Sequence, residues 1–218
     1  MKSINLENVT INTQSSVRIA GAKTIYFDPL EISGELHDAD IIFISHDHYD
    51  HFSTKDIAKV VKDNTVIVFP KTMKSHIDET GISEDRQRGV APTDKLEVSG
   101  ITTEVVPAYN KMKPFHPKKN GWVGYIIEID GICYYFAGDT DAVDEAKAVQ
   151  CDVAFLPIGG TYTTDAKEAA KLANVIRPSV VVPMHYGSIV GKPKDAETFK
   201  AGVDKEICVV EKLKFWGR

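Results

Sequence analysis

Ser45-His46-Asp47-His48-Tyr49-Asp50-His51 is the stretch from which the rest of the chain can be read. It follows Ile41-Ile42-Phe43-Ile44, an unbroken apolar run of the kind a buried strand requires. In an extended segment alternate side chains face the same way, so His46 and His48 can aim at one point. A turn after them would bring Asp50 and His51 to an adjacent point. Neutral imidazoles and carboxylates are ligands for zinc, manganese or iron. A solvated polar loop is the simpler reading, but it gives no reason for three of the seven histidines to share one loop.

Composition sets outer bounds. At 218 residues and 43% hydrophobic the chain can bury a real core, and residues 1–218 fit one domain. The net charge is −5 and no basic run stands out, so a nucleic-acid surface is not favoured. A small-molecule substrate stays open, an anionic one included, because a bound metal reverses the local charge. There is no apolar stretch of membrane-spanning length and no signal-peptide pattern at Met1-Lys2-Ser3-Ile4, so the cytoplasm is the expected compartment. Cys133, Cys151 and Cys208 cannot all pair. Two lie in predicted strands, where a small buried hydrophobe is expected, and none is assigned to a metal.

Along the chain, strands are predicted at Ile4 to Ile11, Val17 to Ala20 and Thr24 to Asp28, with Gly21 turning between the last two. Ser53-Thr54-Lys55-Asp56 has the form of a helix cap. Thr65 to Phe69 reads as a strand, and Lys71 to Thr80 as a short helix carrying a surface His76 and closed by Gly81. Glu84 to Gly89 is polar and reads as a loop. Lys95 to Val98 and Ile101 to Val106 form a predicted strand pair. After Pro107 a Pro- and Lys-rich loop runs from Ala108 to Gly121 and is a candidate wall of the site. Trp122 to Ile129 and Ile132 to Phe136 are joined by Asp130-Gly131, a hairpin signal. A helix is predicted at Ala142 to Val149, then a strand at Val153 to Leu156. A second helix, Ala166 to Ile176, is capped by Thr164 or Asp165. Val180 to Pro183 is a strand, 195–202 a helix, and Ile207 to Trp216 a closing strand pair.

His46 to His51, Asp139 and His185 each stand just past the end of an apolar strand. Strand-end loops of layered α/β folds gather at one edge, where ligands bind. With the His-x-His-x-Asp-His stretch, Phe27-Asp28-Pro29, Ala137-Gly138-Asp139-Thr140, Phe155-Leu156-Pro157-Ile158-Gly159 and Pro183-Met184-His185-Tyr186, the chain resembles the metallo-β-lactamase superfamily over nearly its whole length. The resemblance is nearest to hydrolases beside the ascorbate-6-phosphate lactonase branch.

That resemblance implies an α/β fold, a four-layer αββα sandwich. It implies that His46 and His48 bind one metal, that Asp50, His51 and His185 bind a second, and that Asp139 bridges them. Asp50 and Asp139 are the candidate catalytic carboxylates, and Asp28 would support the metal loop from behind. Zinc is the expected ion, one or two per chain, with manganese or iron as alternatives. The implied chemistry is metal-dependent hydrolysis, by a metal-held hydroxide, of a small ester, lactone or phosphodiester. The sequence departs from its relatives in two places. Thr13-Gln14-Ser15-Ser16 stands where many carry Gly-His. Asn110 stands where they carry a ligating histidine, with His116 six residues on as a possible substitute. The alternative reading is a non-enzymatic metal-binding or sensing domain with a degenerate first site.

Overall fold

The computed structural model describes residues 4–213. Thirteen strands form two mixed sheets. The first runs in sequence order: β1 (Val9–Ile11), β2 (Val17–Ala20), β3 (Thr24–Phe27), β4 (Ala39–Phe43), β5 (Val61–Pro70) and β6 (Gln87–Val90). The second holds β7 (Lys95–Val98), β8 (Ile101–Pro107), β9 (Val123–Ile129), β10 (Ile132–Phe136), β11 (Val153–Pro157), β12 (Val180–Met184) and β13 (Cys208–Val209), again as sequence neighbours. Strands β10 to β13 are parallel. So are β3 to β6. Each sheet therefore sends several strand C-termini to one edge.

The sheets pack face to face through aromatic residues. Phe27 of β3 stacks on Phe136 of β10 at 4.6 Å between ring centroids, and Phe43 of β4 lies 4.9 Å from the ring of Tyr125 in β9. All four are fully buried, and each such side chain contributes roughly 1.5–3 kcal/mol of transfer free energy. Outside the first sheet, α1 (Thr54–Val60) and α2 (Lys74–Asp78) bury Ile57, Val60 and Ile77 against Ile42, Ile67 and Phe69. Outside the second lie α3 (Asp144–Lys147), α4 (Ala166–Ile176) and α5 (Asp195–Gly202), whose Ala146, Leu172 and Phe199 join the main core. These are the four layers expected.

Local chemistry explains the boundaries. Ser53 caps α1 by accepting from the Asp56 N–H. At α4 the cap is Asp165, not Thr164, with a reciprocal bond between Glu168 and the Asp165 N–H. Asp130 and Gly131 both have positive φ, as the tight hairpin requires.

Five expectations are corrected. Glu84 to Gly89 is not a loop: a 3-10 turn at 84–86 leads into β6, an edge strand whose exposed side is polar. The first strand is only Val9–Ile11, because Val9 N–H closes a turn onto the Leu6 carbonyl. The helix expected over 142–149 spans only Asp144–Lys147. The closing pair is reduced to β13 and a bridge from Leu213 to Ile11, and its expected end lies outside the described residues. Cys208 is exposed and Cys133 half-buried, so neither is a fully buried hydrophobe. Among the described residues no helix is long and apolar enough to cross a membrane.

Candidate metal centre

β3, β4, β8, β10 and β12 end at the same edge and deliver Asp28, His46 to His51, His116, Asp139 and His185 to one place. Asp28 organises the metal loop. Its Oδ1 accepts from Ser45 N–H at 2.8 Å, and its Oδ2 accepts from Ser45 Oγ at 2.6 Å and from His51 Nδ1 at 2.8 Å. A carboxylate can only accept, so His51 donates to it through Nδ1, and Nε2 is the nitrogen left facing the centre. Ser45 Oγ donates its proton to Asp28, so at 2.8 Å from His46 Nδ1 it accepts, which leaves the His46 Nε2 lone pair 3.2 Å from His48 Nδ1. Tyr125 Oη donates to the Ile44 carbonyl at 2.7 Å and ties this loop to the second sheet.

His116, not Asn110, faces the centre. The loop closes on itself: Asn110 N–H donates to the His116 carbonyl at 2.8 Å, and His116 N–H returns a bond to Asn110 Oδ1 at 3.2 Å. His116 Nδ1 also lies 3.2 Å from that oxygen, so it is the donor and Nε2 is left inward, 3.3 Å from Asp139 Oδ2. The Asn110 amide nitrogen is spent on Asp141 and the Tyr162 carbonyl. Asn110 is therefore the buttress of the histidine rather than its replacement.

Asp139 lies between two groups. Its Oδ1 is 3.3 Å from His51 Nε2, and its Oδ2 is 3.2 Å from His185 Nε2 and 3.3 Å from His116 Nε2. Gly138 before it has φ +63°, and a Cβ there would sit 2.8 Å from the Val123 carbonyl oxygen, so only glycine allows this approach. The ligand atoms of His46, His48 and His116 all lie within 4.8 Å of one another, as do those of Asp50, His51 and His185. Asp28, His46 and His51 meet the same limit, but the Asp28 oxygens are already occupied by Ser45 and His51. His76 is half exposed and stands outside these groups.

Three buried residues here hold positive φ: Gln14 at 47°, Asp28 at 43° and His185 at 55°. Such strain costs on the order of 1–3 kcal/mol per residue and gathers where function over-determines the backbone. The sequence reading missed two contributors. Gln14 donates through Nε2 to Asp50 Oδ2 at 3.3 Å. Trp122 packs its ring 4.8–5.3 Å from those of His46, His48 and His116.

Burial and close ionisable neighbours set the electrostatics of the group. Burial, helped by the charge of His51, holds His46 well below its ordinary value. Burial also acts to lower His185, but the carboxylates of Asp139 and Asp50 carry it up to about 9. Burial alone would raise Asp50, yet the His185 imidazole 3.4 Å away and the charge of His51 take it down to about 2. Asp139 is held well below the carboxylate range, because the charges of His185 and His51 outweigh its burial.

A metal fits this set. His51 Nε2, His116 Nε2, His185 Nε2 and Asp139 Oδ1 are buried and make no hydrogen bond, although they lie close together. Leaving each so costs about 1–3 kcal/mol, a penalty that coordination removes. Imidazole and carboxylate donors suit zinc, iron or manganese.

Residues 8–185 match the model of the β-lactamase superfamily domain. The chain is 33% identical over 208 residues to a UPF0173 metal-dependent hydrolase of Pyrococcus abyssi, covering 88% of this chain and 90% of that one. A protein of the same name from Thermococcus onnurineus is 32% identical, with 90% and 92% covered. Among solved structures, a candidate metal-dependent hydrolase from Parabacteroides distasonis is 30% identical and superposes with a TM-score of 0.78, over 94% of this chain and 91% of that one. Taken with the two-sheet sandwich and the histidine–aspartate cluster at its edge, the match shows that this chain belongs to the metallo-β-lactamase superfamily.

Proposed function

We propose that the chain is a hydrolase requiring two divalent ions. One would be held by His46, His48 and His116 and the other by Asp50, His51 and His185, with Asp139 shared between them. The observation that carries this reading is the convergence of buried imidazole nitrogens, without hydrogen-bond partners, on the two oxygens of one carboxylate. The relatives' names agree with metal-dependent hydrolysis. When bound, such ions acidify water and polarise a carbonyl or phosphoryl oxygen, so no serine or cysteine nucleophile is required.

The chain's own residues do the rest. Ser45, Asp28 and Asn110 fix the tautomers of His46, His51 and His116. Trp122 closes one side of the histidine group to water. The Asp50 side chain is 11% exposed against 3% for Asp139, so Asp50 is the carboxylate placed to pass a proton to solvent.

The substrate would be a small ester, lactone or phosphodiester bearing an apolar group. Tyr49, Met112, Phe115 and Ile189 are exposed large apolar side chains in the same loops as the candidate ligands. Phe115 is braced edge-on by Tyr162 at 4.7 Å. The test loads the protein with zinc or manganese and assays aryl esters, γ-lactones of increasing alkyl length and aryl phosphodiesters. Turnover should appear in one class, favour the apolar members and vanish in Asp139→Ala. Full turnover by that variant, or none by the loaded wild type in any class, overturns the proposal.

A further inference from the structure

We infer that Gln14 is a positioning residue that sets the metal affinity of the Asp50–His51–His185 group while leaving the His46–His48–His116 group alone. The inference rests on the two-metal reading above. Gln14 lies in the turn between β1 and β2, where Asn12 N–H donates to the Ser16 carbonyl at 2.9 Å and Ser16 N–H to the Thr13 carbonyl at 2.7 Å. It is 1% exposed, although glutamine is ordinarily a surface residue, and its φ is +47°. A buried amide in a strained backbone persists only where its hydrogen bonds hold it.

Those bonds reach two other loops. The Gln14 carbonyl accepts from His185 N–H at 2.9 Å, which fixes the left-handed residue that would be a ligand. Its Nε2 donates to Asp50 Oδ2 at 3.3 Å, and its Oε1 accepts from Ser188 Oγ at 2.6 Å. Chemistry dictates this orientation of the amide. A carboxylate only accepts, so the amide nitrogen must face Asp50, and the oxygen is left for the Ser188 hydroxyl. Asp50 Oδ2 is also the oxygen aimed inward, 3.4 Å from His185 Nε2 and 3.7 Å from His51 Nε2. One side chain thus grips the inward atom of one ligand while its backbone grips another. Ser188, four residues beyond Met184 at the end of β12, locks the amide against rotation.

A residue that orients a ligand typically changes metal affinity by about 10- to 100-fold when removed. Titrate the metal-free full-length protein with Zn²⁺, by calorimetry and by competition with a chelating dye. Gln14→Met keeps the length of the side chain but neither donates nor accepts. It should weaken one zinc equivalent by about 10- to 100-fold and leave the other at the wild-type value. Ser188→Ala should weaken the same equivalent less. The double variant should be no worse than Gln14→Met, because Ser188 acts only through the amide. Wild-type affinities in Gln14→Met, equal loss at both equivalents, or additive losses in the double variant would overturn the inference. Should Gln14→Met not fold, unchanged zinc binding by Ser188→Ala overturns it on its own. None of these readouts needs turnover. A wild type that binds zinc but hydrolyses nothing therefore defeats the hydrolase reading and leaves this one standing.

Discussion

Asp28→Asn tests the centre at its foundation. The substitution changes one atom and little volume, so its effect is chemical. Asp28 accepts three hydrogen bonds, one at Oδ1 from Ser45 N–H and two at Oδ2 from Ser45 Oγ and His51 Nδ1. With the asparagine oxygen facing Ser45 N–H, its NH₂ group meets the two remaining donors head-on. The Ser45 hydroxyl can rotate to accept, but it already accepts from His46 Nδ1 and its own proton then has no place. His51 can make peace with the amide only by moving its proton to Nε2, the atom needed by a metal. The loss is at least one charge-assisted hydrogen bond to a fully buried group, about 1.5–3 kcal/mol of folding stability. Metal affinity should fall by about 10- to 100-fold at the His51 group. A smaller loss should appear at the His46 group, transmitted through Ser45. Thermal unfolding of the metal-free protein and zinc titration measure the two effects separately. Wild-type zinc binding by Asp28→Asn would refute the tautomer argument. A loss of stability with unchanged binding would show Asp28 to be a packing residue alone.

Other consequences are simpler to state. His116→Ala should lose one metal equivalent, whereas Asn110→Ala should bind both with about tenfold lower affinity at that group, read by metal content and titration. Gly159→Ala would put a Cβ 2.2 Å from the His185 carbonyl oxygen and 2.6 Å from Val190, so it should destabilise the fold and weaken metal binding at the proposed His185 group, visible in thermal scans and metal analysis. In metal-free protein His185 is raised to about 9, so its stabilising contribution is complete below the unfolded value near 6.5 and is lost as pH rises through about 9. The lowered Asp50 acts oppositely, stabilising above about 3.9 and failing as pH drops through about 2. Unfolding midpoints across pH 6–9.5 should therefore fall without metal, while zinc affinity rises over the same window because the metal displaces that proton.

What the sequence made legible follows from how local each signal is. The metal loop lies beside the apolar run of β4 and needs no partner to be seen, and the β9–β10 hairpin announces itself in Asp130-Gly131. The strand at Gln87–Val90 was hidden because an edge strand keeps one side polar, and Gln-Arg-Gly-Val carries no alternating apolar face. The expected four layers held because buried strands such as Val180–Met184 are apolar on both faces.

The site was harder, and for a different reason. A candidate ligand that stands directly after a strand, such as Asp139 or His185, is placed by the strand and can be read from it. His116 is placed by a loop that folds back on itself, and the resemblance set Asn110 at the ligand position with His116 left open as its substitute. Only the closed ring of bonds between Asn110 and His116 shows that the loop turns inward later. Gln14 was read as a departure from the pattern of relatives, since nothing in a turn of polar residues says which of them is buried. Both have one physical source. A side chain that acts by hydrogen-bonding another side chain leaves no periodicity, and its partner can lie anywhere in the chain, as Ser188 lies 174 residues from Gln14. Ligands leave a trace in sequence because they cluster at strand ends; the residues that aim them do not, and in this chain Asp28, Asn110 and Gln14 come from three separate turns of the fold.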